Sequence, residues 1–484
     1  MHKRLVINII ARVILIACCF MLVPLAWAVY DNPRSQETKA FLATIMLGAA
    51  AASVTLWIFR LKKENFKKIS AKDCLAIVGL SWIFLSLVGA LPFYFSGFFK
   101  HYTDAFFEVV SGFTTTGASI LTDVEILPRG ILFWRSFANW LGGIGIIVLY
   151  ISIFPALGIP AFQMYEAEAS GPTTERLAPQ LKETAQRLWG TYVLLTLCEI
   201  VFLMLGGMPF FDSLCHSFGT IATGGFSTKN VSIAAYSPYI QWVVIVFMFL
   251  GATNFALVYQ TFRGKPQSLF RDEEFRWHLG GTIALVLFFA LLLSGSRLSV
   301  DPVRDGAFQI VTITTTTGFA TADYIFWPSV LQFILFVLMF VGGCGGSTAG
   351  GMKLVRVIVA GKTLGRYVVQ AVFPNAVLPL RFNGKALDDK LVQGILSFLV
   401  SFICLFVAGS LLMLLTNDCD IVTAMSAAIA CLSNVGPGLG AVGPMTNYAW
   451  ISVPGKWVLS FLMLAGRLEL YAVLVLFLPS VWKK

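Results

Sequence analysis

Long apolar stretches separated by short polar segments dominate this chain. A helix needs about 20 apolar residues to cross roughly 30 Å of hydrocarbon, and most of the stretches are that long. The pattern predicts ten crossings, at residues 5–28, 40–59, 74–97, 131–157, 188–207, 239–262, 278–295, 328–350, 391–415 and 449–480. We therefore expect an all-α polytopic membrane protein.

A short polar pattern recurs four times between these crossings. Each copy opens with an aspartate, continues for the length of a short helix and ends in a turn that closes on glycine. The aspartates are Asp104, Asp212, Asp305 and Asp420. The turns are Thr115-Thr116-Gly117, Thr223-Gly224-Gly225, Thr316-Thr317-Gly318 and Asn434-Val435-Gly436. The spacing is constant in the first three copies and wider in the fourth, which predicts a fourth short helix about one turn longer.

The four copies divide the chain into equivalent units. Each unit is predicted to hold an entering helix, a re-entrant short helix with its turn, and a returning helix, all in the same orientation. A two-helix lead-in at 1–72 precedes units at 73–160, 161–265, 266–389 and 390–484. Irregular backbone at membrane depth survives where it is buried or lines a wet cavity, so we predict a pseudo-fourfold central pore.

The turns have the chemistry of a cation filter. Backbone carbonyls from four converging turns can replace the hydration shell of an alkali cation, and glycine permits the backbone angles that aim them inward. Threonine adds hydroxyl oxygens. We interpret the four aspartates as helix caps rather than as direct ion ligands, because negative charge is favourable at a helix N-terminus. All twelve turn residues are therefore predicted to form an ion-binding selectivity filter.

Composition and charge support a membrane protein. Hydrophobic residues make up 57% of the chain and charged residues only 12%, which excludes a soluble domain with a wet surface. The net charge of +10 reflects lysines and arginines on one predicted side of the membrane, so we expect both termini in the cytoplasm. Because this arrangement explains the positive charge, we do not expect nucleic-acid binding. These basic residues are Lys3, Arg4, Arg60, Lys62, Lys63, Lys67, Lys68, Lys72, Arg263, Lys265, Arg271, Arg276, Lys353, Arg356, Lys362, Arg366, Lys483 and Lys484. Nine scattered cysteines have no zinc or disulfide spacing.

The N-terminus has some features of a secretory signal peptide. Lys3 and Arg4 precede an apolar run and the small-residue segment Ala26-Trp27-Ala28. The run is longer than the usual apolar region of about 7–15 residues, and Arg12 interrupts it. We therefore expect a first membrane helix.

Taken together, the motifs resemble those of the TrkH-type membrane subunits of the bacterial Trk/Ktr potassium uptake systems, which are related to the plant HKT transporters. The matching segments are Asp104 to Glu108 with Thr114 to Ala118, Gly224 to Thr228, Thr316 to Phe319, Asn434 to Gly440 and Gly466 to Glu469. The resemblance spans nearly the whole chain. It implies a passive or ion-coupled potassium pathway in the bacterial cytoplasmic membrane, with a filter simpler than that of potassium channels.

The same resemblance implies partners. It predicts a homodimer and a cytoplasmic TrkA-type nucleotide-binding ring as regulator, with no cofactor in this chain itself. The charged cytoplasmic stretches 160–187, 263–277 and 353–390 are long enough to dock such a ring.

A glycine-rich segment interrupts the predicted returning helix of the third unit. Its six glycines in ten residues disfavour a helix by about 1 kcal/mol each relative to alanine. A nucleotide loop would require a following Gly-Lys-Ser/Thr, and a packing face would place glycine at every fourth position. The resemblance implies an intramembrane gate below the filter. The predicted gate residues are Gly342, Gly343, Gly345, Gly346, Ser347, Thr348, Gly350, Gly351 and, from another helix, Arg467.

Arg467 is a cation within the apolar stretch 449–480, where such residues face the protein interior or water. Two interpretations are open: a buried ion pair, for which Glu469 is a candidate partner, or, as the resemblance implies, a positive charge facing the permeation path. The glycines Gly142, Gly143 and Gly145 on the first returning helix are interpreted as a close helix-packing face.

Two alternative functions remain open. A symporter coupled to protons or sodium would share the filter and would require an acid at membrane depth, for which Glu199 is the candidate. A membrane enzyme would require a constellation of catalytic side chains. The four histidines, His2, His101, His216 and His278, are dispersed, and His216 is expected to form only local hydrogen bonds. We therefore expect a transporter and not an enzyme.

Overall fold

The computed structural model describes residues 2–60, 71–152, 174–295 and 299–479. The basic residues between Lys62 and Lys68, the start of the second unit at 161 and the end of the fourth at 484 lie outside these ranges. The first ten α-helices of the described part are α1 Lys3–Phe20, α2 Leu22–Asp31, α3 Gln36–Ile58, α4 Ala71–Gly89, α5 Leu91–Phe95, α6 Tyr102–Phe113, α7 Arg129–Ser152, α8 Thr174–Leu205, α9 Phe210–Ile221 and α10 Pro238–Gly251. The other ten are α11 Phe255–Phe262, α12 Gln267–Arg271, α13 Glu273–Ser294, α14 Pro302–Thr314, α15 Ser329–Val341, α16 Leu354–Val372, α17 Asp389–Thr416, α18 Ile421–Leu432, α19 Val453–Arg467 and α20 Tyr471–Leu474. A short hairpin pairs β1 Arg381–Phe382 with β2 Lys385–Ala386.

The prediction of a polytopic helical membrane protein is confirmed. Within the described ranges, six segments are long and apolar enough to cross a membrane as helices: Lys3–Asp31, Gln36–Ile58, Lys72–Phe95, Glu183–Leu205, Glu273–Ser294 and Asp389–Thr416. Two further helix pairs are long enough to cross a membrane only when the two helices are taken together. The pair α10 and α11 bends by 109°, and α19 bends by 119° from α20 and the 3₁₀ turn that follows it. Two of the ten predicted crossings, 239–262 and 449–480, are therefore bent rather than straight.

Three of the four returning helices break near the middle, each for a local reason. Between α10 and α11, the side chain of Asn254 caps the new helix by accepting the N–H of Ala256 at 2.9 Å. After α19, Glu469 and Leu470 adopt positive φ angles of 56° and 58°. After α15, Gly342 has a φ of 73°. Arg467 is consequently the last residue of α19. The sequence analysis had placed it inside one continuous helix, and that prediction was wrong.

The four short helices are α6, α9, α14 and α18, and each ends four residues before its turn glycine. The predicted extra turn in the fourth is wrong, because α18 has 12 residues, the same as α6 and α9. The wider spacing arises because Asp420 lies outside its helix at the N-cap, where it accepts the N–H of Thr423. The other three aspartates lie within the first helical turn.

These three aspartates therefore do not cap their helices as predicted, and other contacts satisfy them. Asp104 forms an ion pair of 2.7 Å with Lys456. Asp212 accepts the hydroxyl of Thr228 at 2.6 Å. In the third unit Asp301, rather than Asp305, is the N-cap.

The four units pack in a closed succession. Each short helix contacts the helices that precede and follow it in its own unit. In addition, each returning helix packs against the short helix of the next unit: α7 on α9, α10 on α14, α15 on α18 and α19 on α6. The last contact returns to the first unit, so the units form a ring. Their exact boundaries stay a prediction.

Candidate functional site

The four turns have one backbone conformation. The residue two before each glycine adopts a positive φ: Thr115 51°, Thr223 54°, Thr316 56° and Asn434 57°. The glycines follow with φ of 81°, 68°, 83° and 98°. In every turn the middle residue donates its N–H to the carbonyl five residues earlier: Thr116 to Ser111, Gly224 to Gly219, Thr317 to Thr312 and Val435 to Ala430, at 2.7–2.9 Å. The fourth turn, which lacks threonine, therefore has the same shape as the others.

The turns meet one another directly. A Cβ built on each turn glycine would lie closer than 3.0 Å to the carbonyl oxygen of the middle residue in the next turn, a separation that real Cβ atoms essentially never show. The pairs are Gly117 with Gly224, Gly225 with Thr317, Gly318 with Val435 and Gly436 with Thr116. The last pair closes the circle. The twelve residues predicted as a filter are thus brought together in one ring, and only glycine fits at its four contacts.

Oxygen atoms are concentrated around the ring. The side chains at the first two turn positions are fully buried where the residue is not glycine. Asn434 donates from its amide to Thr116 Oγ1 at 3.0 Å, which joins turns 4 and 1. The described residues include several buried hydroxyl oxygens without a hydrogen-bond partner, and those of Thr115 and Ser433 lie at the turns. Such oxygens are suited to a cation, because burying a polar atom without a partner is costly.

The glycine loop, Gly342–Gly351, lies against the C-terminal ends of α9 and α10. Its Cys344 N–H donates to Ala252 O at 2.9 Å. The Thr348 hydroxyl contacts Ile221 O at 2.8 Å and Gly251 O at 3.0 Å. The Gly350 N–H donates to Thr316 Oγ1 at 2.7 Å, so the loop touches the third turn itself.

The loop is also in contact with the fourth unit and, through Arg467, with the first. A Cβ on Gly350 would overlap the Ser433 carbonyl oxygen. The guanidinium of Arg467, whose residue is buried, donates to Thr348 O at 2.6 Å and to Gly142 O at 3.1 Å. Glu469, the partner that the sequence suggested, forms an ion pair with Arg356. The predicted gate residues therefore lie together: the glycine loop contacts the ring of turns, and Arg467 contacts the loop.

Two residues that sequence reasoning missed hold the ends of this loop. The Glu274 carboxylate accepts the N–H groups of Gly345, at 2.8 Å, and Val355, at 2.9 Å. Lys353, predicted in a cytoplasmic segment, is buried and its ammonium donates to Ala349 O. Glu274 has only one sequence signal, its place in the first turn of α13, and that signal is typical of any helix start.

Two smaller predictions are confirmed. His216 hydrogen-bonds to Asp212 O at 2.7 Å and to Ser227 Oγ at 2.9 Å. Gly142 lies in a close packing contact, because a Cβ there would overlap the carbonyl oxygen of Phe113. Glu199, the acid predicted at membrane depth, is buried beside Thr220 of α9.

Replacing Gly142 by alanine is expected to destabilise the protein by about 1–3 kcal/mol, because the new methyl group must displace the backbone of Phe113. Thermal unfolding in detergent measures the change. Gly190→Ala in α8 is the matched control, since no atom lies within 4 Å of the added carbon. There alanine is expected to be neutral or stabilising by up to ~1 kcal/mol. Equal melting temperatures for the two variants would contradict the packing contact.

Comparison with known proteins decides the family. The family described as "TrkH: Cation transport protein" matches residues 35–484. The chain belongs to the TrkH family. The resemblance inferred from the motifs is thereby confirmed, and the protein is a multi-pass membrane protein.

Relatives of this TrkH-family protein match it along its whole length. It is 36% identical to the Trk system potassium uptake protein TrkH of Salmonella typhimurium and of Escherichia coli K12, with all of each chain covered. It is 34% identical to the Trk system potassium uptake protein TrkI of Halomonas elongata, over 99% of this chain and 97% of the relative. The crystal structure of the potassium transporter TrkH from Vibrio parahaemolyticus superposes with a TM-score of 0.90, at 34% identity and full coverage of both chains.

Proposed function

We propose that this protein takes up potassium across the bacterial cytoplasmic membrane through the ring of four turns, by channel-like conduction. The observation that carries the proposal is the closed ring, in which four turns of one backbone shape each place the middle carbonyl against the glycine of the preceding turn. Rings of backbone carbonyls can substitute for the water around a potassium ion. The names of the relatives, which are potassium uptake proteins, support this ion as the substrate.

The twelve turn residues are proposed as the selectivity filter. Each turn contributes one middle carbonyl to the inter-turn contacts, and threonine hydroxyls lie immediately beside them. Each unit contributes only one three-residue turn. We therefore expect few ion sites and moderate discrimination against sodium. No cofactor is proposed for the chain itself.

The glycine loop and Arg467 are proposed as the gate. The loop lies directly below the turns and is fixed there mainly by hydrogen bonds and close glycine contacts, which reversible movement can break. Glycine also lowers the cost of the new backbone angles that an open loop would require. In the closed position the guanidinium of Arg467 places a buried positive charge against the loop, which disfavours cations there.

Regulation is proposed to come from the cytoplasmic side. Two ion pairs tie α16 to the N-terminal ends of α13 and α17: Lys362 with Glu273, and Arg366 with Asp389 at 3.1 Å. Since α16 follows the glycine loop directly, a force on this surface would reach the loop. We propose that a TrkA-type nucleotide-binding ring binds here, that the membrane subunit is a homodimer and that both termini are cytoplasmic.

The proposal is tested by measuring flux into liposomes that contain the purified protein. We expect potassium to enter down its own gradient, without an imposed proton or sodium gradient, and faster than sodium. Protein-free liposomes and competition by unlabelled potassium are the controls. Flux without a preference for potassium would overturn the proposed substrate.

A potassium symporter is the second candidate, because Glu199 is a buried acid in a membrane span next to a short helix. If potassium entered only with an imposed proton or sodium gradient, and Glu199→Gln abolished that dependence, the symporter would replace the channel-like mechanism.

A further inference from the structure

The position nine residues before each turn glycine has a shared structural role. It is occupied by Glu108, His216, Gln309 and Ala427 in the four units. The three polar side chains belong to fully buried residues on the short helices. All three contact the segment that follows their own turn, which we call the outer segment.

The contacts differ in chemistry but not in place. The Glu108 carboxylate accepts the Ser119 hydroxyl at 2.9 Å and the Ile120 N–H at 3.0 Å. His216 Nε2 lies 2.9 Å from Ser227 Oγ. The Gln309 amide oxygen, in the orientation that satisfies its neighbours, accepts the N–H groups of Thr321 and Ala322 at 3.2 Å each.

The fourth unit has alanine at this position and uses other groups. The hydroxyl of Ser426, the adjacent residue, donates to Leu439 O at 2.9 Å. Tyr448 donates its hydroxyl to the turn carbonyl Gly436 O at 2.7 Å, and Tyr324 donates to Gly438 O at 2.9 Å. Every outer segment is therefore held by at least one buried side chain.

One of these contacts extends to the neighbouring unit. Arg135, on α7, donates from Nε to Glu108 Oε1 at 2.6 Å and from a terminal nitrogen to Ser227 O at 2.9 Å. Its guanidinium carbon lies 3.6 Å from the ring centroid of Phe226. Both residues of the ion pair are buried, Arg135 at 4% exposure and Glu108 at 0%. Arg135 thus joins the outer segment of the second unit to the short helix of the first.

A buried ion pair gives little net stability, because taking both charges out of water costs about as much as their attraction returns. It does fix geometry, since a guanidinium presents its donors in a planar fork. Phe226 and Ser227 immediately follow Gly225, which is in close contact with the third turn. A shift of Arg135 would therefore move the second turn relative to the first.

We propose that Glu108 and Arg135 are positioning residues that set the spacing of turns 1 and 2, and that the preference for potassium over sodium depends on this spacing. The inference rests on the proposed function. Two side chains outside the turns would thus influence the preference for potassium over sodium.

The test compares Arg135→Lys and the double variant Glu108→Gln with Arg135→Met, using the ratio of potassium to sodium flux and the melting temperature. Lysine keeps the charge but loses the fork, so we expect the ratio to fall by about tenfold, equivalent to ~1.4 kcal/mol. The double variant leaves no unpaired buried charge, so its melting temperature should fall by only a few degrees, the cost of one unpaired carbonyl. Its ratio should nevertheless fall, because Ser227 O has lost its donor.

Arg129→Lys is the matched control, because Arg129 lies on the same helix and forms an exposed ion pair with Asp31. It should leave the flux ratio unchanged. If the double variant folded and kept the parent's flux ratio, the pair would not set selectivity and the inference would be wrong. If the parent itself did not prefer potassium, the proposed function would fail instead, and the inference with it.

Discussion

Replacing Gly318 by serine is expected to lower the ratio of potassium to sodium flux by about tenfold, equivalent to ~1.4 kcal/mol of differential stabilisation. A Cβ at this position would overlap Val435 O, and Gly318 has a φ of 83° that side chains rarely adopt. The third and fourth turns must separate to accept it. Potassium and sodium uptake into liposomes, measured side by side, gives the ratio.

The control for this experiment is a glycine with open space around it. Gly394, near the start of α17, has no atom within 4 Å of the position that a Cβ would occupy, so Gly394→Ser should keep the parent's ratio. A Gly318→Ser protein that folds, conducts and still prefers potassium as the parent does would show that the turn contacts do not determine selectivity. Loss of all flux would leave Gly318→Ala, the smallest possible addition, to decide the matter in the same assay.

Replacing Arg467 by alanine is expected to raise potassium flux through the isolated protein by on the order of 100-fold or more. The substitution removes two hydrogen bonds from a charged donor, to Thr348 O and Gly142 O. Bonds of this kind each contribute about 1.5–3 kcal/mol. If they exist only while the loop is closed, their loss shifts the balance towards the open loop by their free energy. The initial rate of uptake into liposomes measures the effect.

Two further variants separate charge from hydrogen bonding. Arg467→Lys keeps the positive charge and loses the fork, so a flux as low as the parent's would mean that charge alone limits conduction. Thr348→Val removes the hydroxyl contacts with Ile221 O and Gly251 O and should also raise flux. Unchanged flux in both Arg467→Ala and Thr348→Val, at unchanged melting temperature, would show that the loop is not the gate.

The sequence predicted the ring well because its information is local and repeated. Each turn follows a short helix and has its glycine four residues after the helix ends, and this spacing is the same in all four units. The error in the fourth unit came from counting from the aspartate. When the units are aligned on the glycine instead, the four helices end at the same position, and Asp420 is simply placed one step outside its helix.

The breaks in the second and fourth returning helices could not be predicted from apolar periodicity. A stretch such as 239–262 is apolar throughout, and its break depends on Asn254 capping a new helix and on carbonyls that accept bonds from the glycine loop. The contacts of Glu108 with Arg135 and of Glu274 with the loop were also missed. Their partners lie 27 and 71 or more positions apart, and a single sequence carries no signal for such pairs.

The glycine loop has a further consequence for how such a protein can be assembled. It contacts the second unit at Ile221, the third at Thr316 and the fourth at Ser433, and Arg467 links it to the first. A tetramer of identical subunits would carry four copies of this loop, and each would occupy the space that the other three require. Joining the four units in one polypeptide allows a single loop to contact all four of them.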